Sequence, residues 1–169
     1  MSLPAASVRI AGLDRDHDRA GFDRGAESLD RYFREQARQD EMRGIARVFV
    51  ATGIDDPRSV LGFYTLSAAL ISPAHLAPDV ARRMPRHAVP AALVGRLAVD
   101  RRHAGHGLGR ILLADAVLRT DVASEAIGIA VIVVDPLDGR ARDFYRAFGF
   151  LDAPGSAQMY LVRRPERRP

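Results

Sequence analysis

The stretch that decides the reading is Arg102-His103-Ala104-Gly105-His106-Gly107-Leu108-Gly109-Arg110. It follows Leu93 to Val99, a run with the composition of a strand. It opens a segment, Gly109 to about Ala126, whose candidate core residues include Ile111, Leu112, Ala116 and Val117. Glycines at alternate positions, Gly105, Gly107 and Gly109, let a backbone turn tightly and approach a ligand closely. The N–H groups of a first helical turn have no acceptors within the helix. Together with the helix dipole they form an anion site suited to a diphosphate.

Two familiar nucleotide loops do not fit. A Walker loop needs a lysine, and all 25 residues in the Lys+Arg total are arginine. The dinucleotide fingerprint G-x-G-x-x-G fails on spacing, because the glycines here run G-x-G-x-G. The pattern that does match is [R/Q]-x-x-G-x-[G/A], filled by Arg102, Gly105 and Gly107.

Outward from the loop, the chain reads as alternating short elements. Val8 to Ala11 suits a short edge strand. From Ser28 the residues Leu29, Tyr32, Phe33 and Ala37 follow helical spacing, with Gly44 as the stop. Ala46–Ala51 and Val60–Leu70 read as a hairpin around Gly53 to Pro57. Ser72 to Pro90 is broken by prolines and reads as a long connection, with a short helix between Pro78 and Pro85. Ile127 to Val134 has the continuous apolar character of a strand buried on both faces. Arg140 to Ala147 reads as a helix and Met159 to Val162 as a last strand. The tail, 163–169, is expected to fray.

At 169 residues the chain is expected to be one domain, 1–169, able to fold without disulfide or metal. It has no cysteine, and its five histidines show no metal-binding spacing, so no metal is expected. No apolar run reaches the roughly 20 residues that span a bilayer, and the N-terminus lacks a leader pattern. The expectation is therefore a cytoplasmic protein with no membrane partner. A net charge of +4 suits a polyanionic partner without requiring one.

The glycine loop resembles that of the GNAT acetyltransferases, and the resemblance extends through much of the chain. Gly95 to Asp100, "GRLAVD", looks like the family's fourth strand, and "DFYRAFGF" at Asp143 to Phe150 like its second signature. The resemblance implies an α/β (α+β) fold: a mixed, mostly antiparallel central sheet flanked by helices, with splayed fourth and fifth strands making a slot for acetyl-CoA. It also implies the cofactor contacts. These are Leu97, Ala98 and Val99, the loop residues Arg102, His103, Ala104, Gly105, His106, Gly107, Leu108, Gly109 and Arg110, and further on Phe144 and Asp135, where the family often has Asn. Tyr145 alone reads first as a core aromatic beside Phe144, Phe148 and Phe150. The resemblance makes it the general acid for the leaving thiolate, with a backbone N–H near Leu97 to Val99 holding the oxyanion.

Further segments narrow the resemblance: "SLDRYFREQA" at Ser28, "ARVFVA" at Ala46, "GFYTLS" at Gly62, "RRMPRHAVP" at Arg82 and "LLADAVLR" at Leu112. In this order they are similar to the GNAT toxins of toxin–antitoxin modules, which acetylate the α-amine of aminoacyl-tRNA and stop translation. That implies a ribbon-helix-helix antitoxin as partner, operator DNA only through the complex, and a possible homodimer. Arg38, Arg43, Arg82, Arg83 and Arg86 are the candidate tRNA contacts. No general base stands out, although Glu41 is a candidate. A lysine amine is only about 0.1% neutral at pH 7.4, whereas an α-amine is roughly 30% neutral, so a site without a base suits an α-amine. The alternatives are a small-molecule amine or protein N-terminus as acceptor, or a degenerate, non-enzymatic member that binds a partner or regulates DNA.

Overall fold

The structure is a computed structural model that describes residues 7–164. Seven strands form one sheet in the order β1-β2-β3-β4-β5-β7-β6. They are β1 (Val8–Gly12), β2 (Arg47–Gly53), β3 (Val60–Ile71), β4 (Val89–Val99), β5 (Val131–Val134), β6 (Leu151–Asp152) and β7 (Met159–Val162). β1–β2, β2–β3, β5–β7 and β6–β7 pair antiparallel. β4 and β5 pair in parallel, Ala91 with Val131 through Val94 with Val134. A parallel step cannot be closed by a hairpin. Here the crossover is the helix α4 (Leu108–Ala123), which the glycine loop begins. The rungs to β5 end at Val94, and β4 runs on to Val99. The sheet is thus mixed and mostly antiparallel, with helices between its strands, as the resemblance implied.

The described chain falls into two compact units. One holds the residues through Ser67 with Gly95–Leu118, the other Ala68–Val94 with the residues from Arg119. In the first, helix formation begins at α1 (Glu27–Arg31) and finishes in α2 (Ala37–Arg43). Between them Tyr32–Gln36 forms a π-helical turn. The apolar spacing did not reveal it, since Phe33 and Ala37 recur at an interval that an ordinary helix also allows. Gly44, at φ 70°, ends the segment. Tyr32, Phe33 and Ala37 are buried with Leu13, Phe22, Val48, Val50, Val60, Phe63 and Ala98. Phe33 stacks on Phe63 at 4.3 Å between ring centroids, and Phe22 lies 5.0 Å from Phe33. Each such ring contributes roughly 1.5–3 kcal/mol by leaving water.

The second unit has its own core of Ile71, Leu76, Val80, Val89, Ala91, Val131, Val133 and Tyr160. Leu76 and Val80 belong to the connection after β3, so that segment is not a plain solvated loop. It contains a 3-10 turn at Pro73–His75 and the short helix α3 (Pro78–Ala81), each opened by proline at its first position. The Tyr160 hydroxyl accepts the Ala77 N–H at 2.9 Å and pins the connection to β7.

Two strand boundaries differ from expectation. β4 starts at Val89, not Leu93, because a proline at a strand's second residue interrupts little and the Pro90 carbonyl accepts the Ala130 N–H. β5 covers only the second half of Ile127–Val134; Ile127 is exposed and its N–H still turns back to Ala123. All four residues of β5 are buried, as a strand covered on both faces requires. Arg163, at the start of the expected tail, donates to Asp121 and to the Ile129 carbonyl, each at 2.8 Å. Residues 165–169 lie outside the described residues. Among those described, no helix is long and apolar enough to cross a membrane.

Candidate active site

The glycine loop is bolted down at its first residue. Asp100 is fully buried and accepts four hydrogen bonds. Its Oδ1 takes the Arg102 N–H at 2.9 Å and Arg102 Nε at 2.8 Å. Its Oδ2 takes Arg102 Nη2 at 2.7 Å and the Asp23 N–H at 3.0 Å. Burial alone would raise this carboxyl; the Arg102 side chain and the two N–H groups more than offset it and hold it at about 2. Arg102 also reaches the Gly21 carbonyl at 2.9 Å. Its guanidinium is therefore engaged in holding residues 21–23, and the motif's arginine shapes the loop from behind.

After a 3-10 turn at Arg101–His103, Gly105 and Gly107 adopt φ +79° and +82°. A Cβ added at either would meet nothing within 4 Å. The glycines thus answer a left-handed backbone requirement, and they leave clear space before α4. The Ile111 N–H bonds the Gly107 carbonyl, so the helical ladder starts there. The N–H groups of Leu108, Gly109 and Arg110 have no acceptor within the helix. Behind them Leu108, Leu112, Leu113 and Ala116 are buried and fix the helix against the sheet. The approach is close at Gly62 on β3, where a Cβ would lie 2.9 Å from the Ala98 carbonyl and from Leu112.

On β4, Ala98 is buried and Leu97 and Val99 are half-buried. The Arg96 N–H bonds the Thr65 hydroxyl at 3.0 Å, a side-chain partner on a strand. The Arg96 guanidinium lies 3.6 Å over the Tyr32 ring, and the Tyr32 hydroxyl donates to Asp40 at 3.0 Å. Burial, then Asp40, pushes the Tyr32 phenol up to about 12. Sequence reasoning missed this cluster, since its members are far apart along the chain and only the π-helical turn and β4 join them. Glu41 accepts Arg47 at 3.1 Å and the Val48 N–H at 2.5 Å. Its carboxylate serves the start of β2, so the candidate base is occupied.

In the second unit, α5 (Gly139–Phe148) starts at Asp138, whose side chain accepts the Ala141 N–H, and ends at Gly149 with φ 116°. Tyr145 is 5% exposed, edge-on to Phe144 at 5.2 Å and to Phe150 at 5.6 Å. Among the described residues nothing hydrogen-bonds its hydroxyl, and no fully buried side-chain N or O lacks a partner. The ring is therefore core while the hydroxyl keeps access to the surface. Burial, then the negative charge of Asp135, pushes its phenol up to about 12. Asp135 is exposed and accepts Gln158 at 2.9 Å; Phe144 is half-buried.

Of the candidate RNA contacts, Arg82, Arg83, Arg86 and Arg43 are exposed and Arg38 is half-buried. Arg83 is loosely held by Asp79 at 3.8 Å. A depression of about 580 Å³, lined by Arg15, Arg19, Arg34 and Arg58 among others, contains none of the predicted site residues. No group of three or more potential metal ligands occurs among the described residues.

Residues 44–151 match the acetyltransferase (GNAT) domain model. A tRNA-acetylating toxin of Mycobacterium tuberculosis is 40% identical over 154 residues, covering 91% of this chain and 89% of that protein. The structure is similar to AtaT complexed with acetyl-methionyl-tRNA, with TM-score 0.84 and 29% identity over 92% of this chain and 94% of that one. It is also similar to an AtaT tyrosine-to-phenylalanine mutant bound to the C-terminus of the antitoxin AtaR, with TM-score 0.77 and 28% identity over 92% of this chain and 91% of that one. With a matching domain model, a close relative along nearly all its length and the parallel β4–β5 step feeding a glycine-opened helix, the chain belongs to the GNAT acetyltransferase family.

Proposed function

We propose that the chain, as a single domain over 1–169, transfers the acetyl group of acetyl-CoA to the α-amine of an aminoacyl-tRNA. The observation that carries this is the cradle at the start of α4: two left-handed glycines, open space where their side chains would stand, and N–H groups aimed out of the helix. Those residues fit a diphosphate, with Gly105 to Arg110 as its binding residues. Acetyl-CoA supplies an activated thioester. Backbone N–H groups of Leu97 to Val99 hold the carbonyl oxygen where negative charge builds. Tyr145 keeps a proton on an uncommitted hydroxyl and delivers it to sulfur. The new nitrogen–carbon bond forms as the carbon–sulfur bond breaks, and the amine's surplus proton passes to water.

Occupation of Glu41 supports an α-amine as acceptor, since a lysine amine would need a base. The likeness to a tRNA-acetylating toxin and to toxin–tRNA and toxin–antitoxin structures supports charged tRNA as substrate and an antitoxin as partner. We assign the chain to the cytoplasm on the same ground, with operator DNA reached only through the antitoxin complex. Induced expression tests the reading in cells: the chain should arrest growth, and Tyr145→Phe should relieve the arrest at equal protein level. Arrest by the Phe variant would remove the acid role from Tyr145.

A further inference from the structure

Arg96 is a half-buried cation with no carboxylate within ion-pair distance among the described residues. Arg47, Arg101, Arg102, Arg142, Arg146 and Arg163 all have one. Its place is nevertheless closely defined. The guanidinium carbon lies 3.6 Å from the Tyr32 centroid, and Tyr32 is 4% exposed and hydrogen-bonded to Asp40. The backbone beneath is tied to Thr65, itself buried. By the two-residue period of a strand, Arg96 shares the face of Ala98, which packs in one cluster with Tyr32, Phe33 and Phe63. Tyr32 opens the π-helical turn, a feature that moves side chains out of ordinary helical register.

A guanidinium whose face is covered by an aromatic ring still offers its edge. The edge is a planar fork of N–H donors matched to a phosphate. Partial burial of a charge without a counter-ion costs stability, and an anionic ligand offsets that cost. Arg96 directly precedes Leu97 to Val99, the segment assigned above to the thioester oxygen, so an anion on it would sit beside the reacting amine. In a charged tRNA the anion nearest the aminoacyl ester is the last phosphodiester of the acceptor end. We propose that Arg96 is the residue that positions the acceptor: the edge of its guanidinium, which lies over the Tyr32 ring, receives the terminal phosphodiester of the charged RNA. The proposal rests on the acceptor assigned above and adds to it the residue that registers the amine over β4.

The test is steady-state acetyl transfer by the full chain, using charged tRNA and, separately, a methyl ester of the same amino acid. The methyl ester carries the α-amine without any phosphate. Arg96→Gln is expected to raise KM for charged tRNA by about ten-fold or more while leaving the methyl ester reaction within about two-fold. Arg96→Lys, which keeps charge and loses the planar fork, should recover part of the loss. Equal losses on both acceptors, or an unchanged KM for charged tRNA, would overturn the proposal while leaving the acceptor assignment intact. Absence of transfer to charged tRNA by the wild-type chain would overturn the acceptor assignment, and this proposal with it.

Discussion

Tyr145 combines a core ring with an uncommitted hydroxyl, and this pairing suits a proton donor. With its phenol pushed up to about 12, it stays protonated through the working range, so it is always ready to donate. Two outcomes follow. Tyr145→Phe should preserve the packing against Phe144 and Phe150, leaving the melting temperature nearly unchanged, while lowering kcat by about 10²–10⁴-fold. In the wild-type chain, kcat/KM should rise with pH as the acceptor amine loses its proton, with no loss from Tyr145 titration below about pH 10. A descending limb that sets in near pH 8 and disappears in Tyr145→Phe would contradict the assignment.

Asp100 works at the same scale on stability. Its folded-state carboxyl lies below the ordinary 3.8, so its contribution is present above that value and is lost as pH falls toward 2. Asp100→Asn should cost about 2 kcal/mol at neutral pH, because the Arg102 guanidinium and the N–H groups of Asp23 and Arg102 lose a charged acceptor. Thermal melts between pH 6 and pH 2 check both points. The wild-type melting temperature should fall across that range, and the difference from the Asn variant should shrink. The motif made the position of Arg102 legible from the sequence. Its partner was not, since Asp100 meets Asp23, and Arg102 meets Gly21, only after β4 has been placed.

Among the elements, α4 carries the proposed cofactor cradle, and its start was readable because glycine spacing reports backbone requirements directly. Replacement of Gly107 by Val tests that requirement without a clash, since no protein atom lies within 4 Å of the added Cβ. The left-handed φ should cost about 1–2 kcal/mol of stability. Acetyl-CoA binding, followed by calorimetry, should weaken further than that strain accounts for; unchanged binding would remove the cradle from the site. Other elements were less legible. The π-helical turn at Tyr32–Gln36 keeps the apolar spacing of a regular helix, and the early start of β4 was hidden by Pro90, which the sequence reads as a breaker. β5 was overextended because Ile127 is apolar yet exposed. Its side chain continues the apolar run, but its backbone N–H still belongs to the end of α4.

For the whole molecule, the informative property is where exposed positive charge lies. Arg82, Arg83 and Arg86 are exposed on the connection after β3, whose buried Leu76 and Val80 fix its first half. If they touch phosphates, binding to charged tRNA should weaken with salt. Replacing all three by Ala should flatten the log–log salt dependence by roughly 0.7–0.9 for each phosphate that is no longer neutralised. An unchanged slope would return these arginines to the solvated surface. Sequence alone suggested these residues from their clustering. It did not single out the depression lined by Arg15, Arg19, Arg34 and Arg58, which assembles from segments distant in the chain. The sheet order was foreseeable only through the family resemblance, since no local pattern specifies that β7 lies between β5 and β6.

The most direct test of the account is transfer of labelled acetyl from acetyl-CoA to a pool of charged tRNA, with uncharged tRNA and free amino acids as controls. Label is expected on charged tRNA alone, released with the amino acid on mild alkaline treatment and absent with Tyr145→Phe. Label on free amines, or none on charged tRNA despite measurable acetyl-CoA binding, would contradict it and leave the fold and the cofactor cradle with a different acceptor.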